Sequence, residues 1–205
     1  VHLPSFKNPT PIIEHDLTFL NNTGACSINT RSVRNTCEWQ PLDDEDIWYC
    51  KPYKFIWKVV ISKNHIPHNY YAALVATVKS PKTASQDYAP MPQQTCNLVI
   101  ELFRTCDMVN LTCEGLALQL LNKRIDEHEN VEFEYVVNFE TCSYAQLKSM
   151  FLVRASLRLV EEIRDSYEPK NTNTKLILFT SKRKRIISRR RHSKQVDACG
   201  TIDED

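Results

Sequence analysis

Alternating apolar and polar residues, repeated in several short segments, are the feature that most constrains the fold of this chain. The segment VEFEYVVNF (131–139) has an apolar residue at every second position. Successive side chains of a β-strand point to opposite faces, so this period predicts a strand with one buried face. The segment YKFIWKVVIS (53–62) is rich in β-branched and aromatic residues and predicts a second strand.

Further segments of the same kind follow along the chain. The sequence predicts additional strands at 14–20, 70–80, 95–106, 149–163 and 174–181. Residues 114–125 have helical spacing, although their alternating leucines, Leu116, Leu118 and Leu120, equally fit a strand. A count of about seven to nine strands with few helices predicts a mainly β protein with a β-sandwich fold.

Composition indicates how these strands are connected. The 205 residues include ten prolines but only three glycines, so long irregular loops are expected rather than tight glycine hairpins. One such loop is predicted at 81–94. We therefore predict an extended lead-in at 1–13, a β-sandwich domain at 14–181, and a tail at 182–205 that is first basic and then acidic.

Positive charge is concentrated near the end of the sequence. The net charge is +1, yet the segment TSKRKRIISRRRHSK (180–194) carries eight Lys and Arg and no acidic residue. Residues 182–194 are called the basic run below. Three roles fit such a density: a DNA contact with a nuclear import signal, a processing site in a secreted precursor, or a solvated tail. Because the run directly follows a predicted strand, a rigid sheet would position its first residues for groove contacts. The candidate DNA-binding residues are Lys182, Arg183, Lys184, Arg185, Arg189, Arg190 and Arg191.

The order of several motifs resembles that of a known family of DNA-binding domains. These motifs are HDLTF, YCKPYKFIWKVVIS, VEFEYVVNFETCS, SMFLVRASLRL and TKLILFTSKRKR. Their succession resembles the strands of the immunoglobulin-like DNA-binding domain of the tumour-suppressor p-fifty-three family, and Rel-like sandwiches have a similar order. The resemblance implies an immunoglobulin-like β-sandwich with long loops and a short C-terminal basic helix or tail.

The same resemblance implies a function and a set of contacts. It implies a transcription factor that acts in the nucleus and binds double-stranded DNA, with a homo-oligomer as a further expected assembly. Carried over by position, Arg183 and Arg185 would contact bases and backbone, while Lys182 and Lys184 would bind phosphates. Loop 140–149 is a candidate for an additional minor-groove or backbone contact.

The cysteines support a competing interpretation. Eight cysteines permit four disulfides. N-glycosylation sequons begin at Asn21 and Asn110, the candidate glycosylation sites of this alternative, but about two sequons are expected by chance in such a composition and they do not discriminate between the interpretations. On this alternative the chain is a secreted or virion-surface glycoprotein that binds a protein receptor or envelope subunits and no nucleic acid. The disulfide candidates are Cys26, Cys37, Cys50, Cys96, Cys106, Cys113, Cys142 and Cys199.

Zinc is the one cofactor for which ligand types are present. His65 and His68, together with Cys106 and Cys113, offer nitrogen and sulfur ligands, but their spacing is not diagnostic of a zinc site. In the family that the chain resembles, zinc is held by a Cys-x-x-His motif, whereas Cys96 is followed here by Asn, Leu and Val. Metal ligands are therefore not assigned.

Motifs of catalysis are absent from the sequence. It contains no glycine-rich phosphate loop, no nucleophile elbow and no His-Glu-x-x-His motif. We therefore expect a protein that acts by binding and not as an enzyme.

Overall fold

The prediction of a mainly β, sandwich-type fold is confirmed by the computed structural model of the chain. It describes residues 13–17, 24–33, 38–45, 47–51, 53–80, 94–163 and 170–188. Within these residues the strands are β1 (Ile13–Leu17), β2 (Cys26–Ser32), β3 (Gln40–Pro41), β4 (Ile47–Tyr49), β5 (Phe55–Ile61), β6 (Gln94–Arg104), β7 (Val109–Asn110), β8 (Leu116–Ile125), β9 (Val131–Phe139), β10 (Phe151–Ile163), β11 (Lys170–Thr180) and β12 (Arg185–Ile187). The helices are α1 (His68–Lys79) and the single turn α2 (Thr112–Gly115), with 3-10 turns at Leu42–Asp44 and Lys63–His65.

Ten of these strands form two sheets of five. The first sheet has the order β1-β11-β10-β6-β7, and the second has the order β3-β2-β5-β9-β8. Neighbouring strands are antiparallel in both sheets except for β1, which runs parallel to β11. Buried apolar residues from both sheets form one continuous core, with Trp57 and Val59 from the second sheet and Leu102, Val153 and Leu157 from the first.

Strands β4 and β12 form a separate parallel pair at one end of the sandwich. Trp48 of β4 is buried and stacks on Phe139, the last residue of β9, with ring centroids 5.2 Å apart. Cys50 continues from β4 and makes a parallel bridge with Phe139. The aromatic core of the sandwich therefore supports the strand against which β12 lies.

The prediction of a strand at 70–80 is wrong, because these residues form helix α1. The helix begins directly after Pro67, which occupies its N-cap. Its buried residues Tyr70, Ala73 and Leu74 follow the spacing i, i+3, i+4, which places them on one face of a helix. Three alanines favour this conformation, and the valines and the threonine of the segment, which are typical of strands, do not override the helical period.

In segment 114–125, for which both a helix and a strand fit the sequence, the structure has mainly a strand. Its first residues end the short turn α2, but Leu116–Ile125 form strand β8 at the edge of the second sheet, paired with β9. The strand interpretation of the alternating leucines is therefore the one confirmed, and the helical spacing was misleading.

The two ends of the predicted domain are described in part. Of the predicted lead-in, residues 1–12 lie outside the described residues, and Ile13 begins β1. The loop predicted at 81–94 lies outside them as far as residue 93. At the other boundary, regular structure continues beyond residue 181 to β12, and the described positions 182–188 contain this strand and no helix. No helix in the described ranges is long and apolar enough to cross a membrane.

Candidate nucleic-acid interface

The beginning of the basic run is paired with the sandwich through its backbone. The Lys184 N–H donates to the Phe151 carbonyl at 2.7 Å, and the Phe151 N–H donates to the Lys184 carbonyl at 2.8 Å. Three residues before Lys184, the Ser181 N–H donates to the Val153 carbonyl at 2.8 Å, and the Ser181 Oγ accepts from the Val153 N–H at 2.9 Å. Residues 181–184 therefore leave β11 along a fixed path beside the start of β10.

Strand β12 is held from two further sides. The Cys50 N–H donates to the Ile187 carbonyl at 3.1 Å, which extends the pairing of β12 with β4. On the opposite side, the Ser143 N–H donates to the Ile186 carbonyl at 2.7 Å, and the Ser143 Oγ accepts from the Ile186 N–H at 3.0 Å. The Ile186 side chain is fully buried. Burial of apolar surface stabilises a fold by about 25 cal/mol per Å2, so the buried Ile186 side chain contributes about 2 to 3 kcal/mol to holding the strand in place.

The four cations at the start of the basic run have two different environments. Lys182, Arg183 and Arg185 are exposed. Lys184 is only 7% exposed, and its Nζ donates to the Asp43 carbonyl at 2.8 Å. The Asp43 carboxylate in turn accepts the Lys182 backbone N–H at 2.8 Å. Lys184 thus fixes the run to the acidic turn at 42–44, while its three neighbours are presented to solvent.

A loop adjoining β12 adds exposed residues to this end of the sandwich. In the segment 141–149, Tyr144 and Leu147 are 63% and 83% exposed. Leu147 and Lys148 have φ angles of 56° and 58°, a left-handed backbone conformation that residues other than glycine rarely adopt. The loop is held by Ser143 and by Gln146, whose Oε1 accepts from Arg104 at 2.7 Å. Such strain in a well-anchored loop is typical of functional surfaces.

Acidic residues lie close to the same surface. Asp43 and Asp44 follow Leu42 in the turn that Lys184 contacts, and Glu140 precedes the loop and forms an ion pair with Lys51. The exposed cations therefore form a small positively charged patch beside acidic residues. The remaining candidate DNA-binding residues, Arg189, Arg190 and Arg191, lie outside the described residues.

Six cysteines are described, and all six are free thiols. Cys26 and Cys96 are buried singly, and burial raises the pKa of each thiol to about 12. Cys106 and Cys113 are exposed on either side of β7. Cys50 and Cys142, in contrast, lie beside each other near β12. The other two candidates, Cys37 and Cys199, fall outside the described residues.

The candidate histidines and the sequon asparagines lie apart from the basic run in sequence. His65 and His68 are exposed before and at the start of α1, and the His65 Nδ1 lies 3.0 Å from the Ser62 Oγ. Among the residues that can be described, no three His, Cys, Asp or Glu side chains come together as a metal site. Asn110 is exposed, and its amide donates to the Glu101 carboxylate at 3.0 Å. Asn21 falls outside the described residues.

Comparison with protein-family models, with curated proteins and with solved structures found no match to this chain. Sequence reasoning identified the cations but missed their supports, Asp43, Ser143 and Phe151. One signal was available: Ile186 and Ile187 interrupt the basic run, and two adjacent β-branched residues favour a short strand.

Proposed function

We propose that this chain is a DNA-binding domain that acts by binding double-stranded DNA in the nucleus and not by catalysis. The observation that carries the proposal is the backbone pairing of Lys184 with Phe151, because it fixes the exposed Lys182, Arg183 and Arg185 on a rigid frame. Arginine can donate two hydrogen bonds to guanine, and lysine neutralises phosphates. The burial of Lys184 assigns it a positioning role, which leaves phosphate contact to Lys182.

The strand order supports an immunoglobulin-like assignment. In an immunoglobulin sandwich one sheet has the order ABED and the other contains the strands C, F and G. The order β2-β5-β9-β8 corresponds to the first, and β6, β10 and β11 to the second. Such sandwiches present loops at their ends, where binding residues are positioned by the sheets. The basic run and the loop 141–149 both lie at one end.

The chemistry of the neighbouring loop and of the cysteines agrees with this function. Lys148 and Tyr144 are exposed beside β12, and a lysine and an aromatic residue can both contact the DNA backbone. Thiols are kept reduced in the cytosol and nucleus, and the free thiols of the described cysteines are consistent with such a compartment.

The test is the salt dependence of DNA binding. Each phosphate contact contributes about 0.9 to the slope of log affinity against log salt concentration. We expect the triple variant Lys182→Gln, Arg183→Gln, Arg185→Gln to reduce this slope by about 2 to 3, measured by fluorescence anisotropy with random-sequence duplexes. Selection from a random duplex pool would then identify a preferred sequence, which the same variant should bind without preference.

A matched control separates a site from a general attraction of DNA to cations. Lys79 is exposed at the end of α1, close to the start of β6, where the Cys96 N–H donates to the Thr77 Oγ1 at 3.3 Å. The basic run adjoins Phe151, which pairs with Arg104 at the other end of β6, about 27 Å away at 3.4 Å per residue. Arg183→Gln should lower the slope and Lys79→Gln should not. Equal effects of the two substitutions, or an unchanged slope in the triple variant, would contradict the proposal.

A further inference from the structure

Two cysteines approach each other on the side of β12 where β4 ends. Cys50 makes a parallel bridge with Phe139, and the Lys51 N–H donates to the Phe139 carbonyl at 3.3 Å. Cys142 follows Phe139 by three residues. The backbone pairing therefore places the end of β4 next to the beginning of the loop 141–149.

The side chains of Cys50 and Cys142 also interact with each other. The side chain of Cys142 interacts with the thiol of Cys50, and so does the side chain of Ser188. Cys50 is buried, whereas Cys142 is partly exposed. One thiol is therefore accessible to a small oxidant, and a second is held beside it within the fold.

We propose that Cys50 and Cys142 form a redox-active dithiol that closes to a disulfide when the protein meets a peroxide. The Cys142 thiolate attacks one oxygen of the peroxide, the O–O bond breaks, and Cys142 becomes a sulfenic acid as hydroxide leaves. The Cys50 sulfur then attacks the Cys142 sulfur, and the S–O bond breaks as the S–S bond forms. With the two thiol protons, hydrogen peroxide is reduced to two molecules of water, and a dithiol reductant reverses the reaction.

The surroundings of each thiol assign the order of these steps. Burial raises the pKa of Cys50, and the neighbouring Cys142 raises it further, which makes Cys50 a weaker nucleophile than an ordinary exposed thiol. The partly exposed Cys142 therefore reacts first. The bond would join β4 to the loop 141–149, the two elements that hold β12 on either side.

Peptide mapping of the native protein after peroxide treatment tests this proposal directly. Tryptic cleavage releases Cys142 as the one cysteine of peptide 125–148, while Cys50 lies in peptide 35–54 together with Cys37. We expect these two peptides to be joined after oxidation and to separate after treatment with dithiothreitol. The joined form should also melt higher, by roughly 5 to 15 °C, because the bond closes a long loop in the unfolded chain.

Cysteine variants identify the bond and exclude a general oxidation. The cross-link should persist in Cys37→Ser and disappear in Cys50→Ser, and Cys106→Ser serves as a control for an exposed thiol outside the pair. The proposal would be overturned if both thiols of the wild-type protein remain alkylatable after Cys106 has been oxidised, or if Cys142 is joined to another cysteine. Because the readout is a covalent bond in the wild-type chain, it does not depend on the proposed DNA contact.

Discussion

Phe139 connects the aromatic core to the strand pair that carries the basic run, and its truncation is the most informative perturbation of the fold. The ring is fully buried and contacts three other rings: Trp48 at 5.2 Å, Trp57 at 5.8 Å and Phe55 at 6.4 Å between centroids. Truncation of a buried Phe to Ala lowers stability by about 3 to 5 kcal/mol, and each aromatic pair contributes about 0.5 to 1.5 kcal/mol beyond its buried area. Three such pairs put Phe139→Ala at the upper end, about 4 to 5 kcal/mol.

The conservative variant Phe139→Leu separates ring contacts from lost volume. Leu retains most of the apolar volume but none of the ring contacts, so we expect a loss of about 1 to 2 kcal/mol. Urea unfolding followed by tryptophan fluorescence measures both values, since two of the three tryptophans contact Phe139. In thermal unfolding, the Ala variant should melt roughly 10 to 20 °C below the wild type.

Hydrogen exchange then tests whether Phe139 also supports the site. Trp48 lies opposite Ile186 in the β4–β12 pair, so loosening Trp48 should raise the exchange rate of the Ile186 amide. In Phe139→Leu we expect this increase at β12 and little change at Leu157 in the centre of β10. Truncation of a buried Phe to Ala is expected to lower the free energy of unfolding by about 3 to 5 kcal/mol. If Phe139→Leu and Phe139→Ala instead lower it equally, each by less than about 1.5 kcal/mol, Phe139 is not the centre of an aromatic cluster that supports the fold.

Three further outcomes are expected. Lys184→Ala should lower stability by about 3 kcal/mol, because it removes both the hydrogen bond of the ammonium group and the buried methylene groups of the side chain. Lys184→Met keeps most of the apolar side chain, so it should lower stability by about 1 kcal/mol in the same urea unfolding assay. Burial raises the pKa of Glu132, but its hydrogen bonds and charge interactions with Lys58 and Arg124 outweigh this, so the net pKa lies below its ordinary value of 4.5. The contribution of Glu132 to stability is therefore present above pH 4.5 and is lost as the pH falls below it. Glu132→Gln should remove this dependence on acid pH, measured by urea unfolding at a series of pH values. At neutral pH the same variant should lower stability by about 3 kcal/mol. A thiol titration of the denatured, unreduced protein should give close to eight thiols, and a value near zero would favour the extracellular alternative.

Much of the sheet structure could be predicted because its signal is local. Strand β9 has the predicted bounds 131–139, and β5 and β10 lie within their predicted segments, since alternation and β-branched residues are read from neighbouring positions. Helix α1 also has a local signal, the spacing of Tyr70, Ala73 and Leu74, but the valines and the threonine of 70–80 are typical of strands and mask it.

The site was predictable in its charges and not in its supports. The cations are visible in the sequence, whereas their different roles depend on contacts between distant residues. Lys184 is buried because Asp43, about 140 residues earlier, offers it a carbonyl oxygen, and β12 forms because Ser143 and β4 provide partners for its backbone. No pattern within a short window of sequence encodes such pairings.

The pairing of β12 with β4 has a consequence for how the basic run acquires its geometry. Arg185 lies opposite Ile47, so this contact joins residues about 140 positions apart and its loop-closure entropy is offset only in the folded sandwich. A synthetic peptide with the sequence 180–194 would carry the same eight Lys and Arg without the sandwich that holds the first of them. It would lack the fixed spacing between Arg183 and Arg185, so comparing the peptide with the intact domain separates the contribution of charge from that of preorganisation.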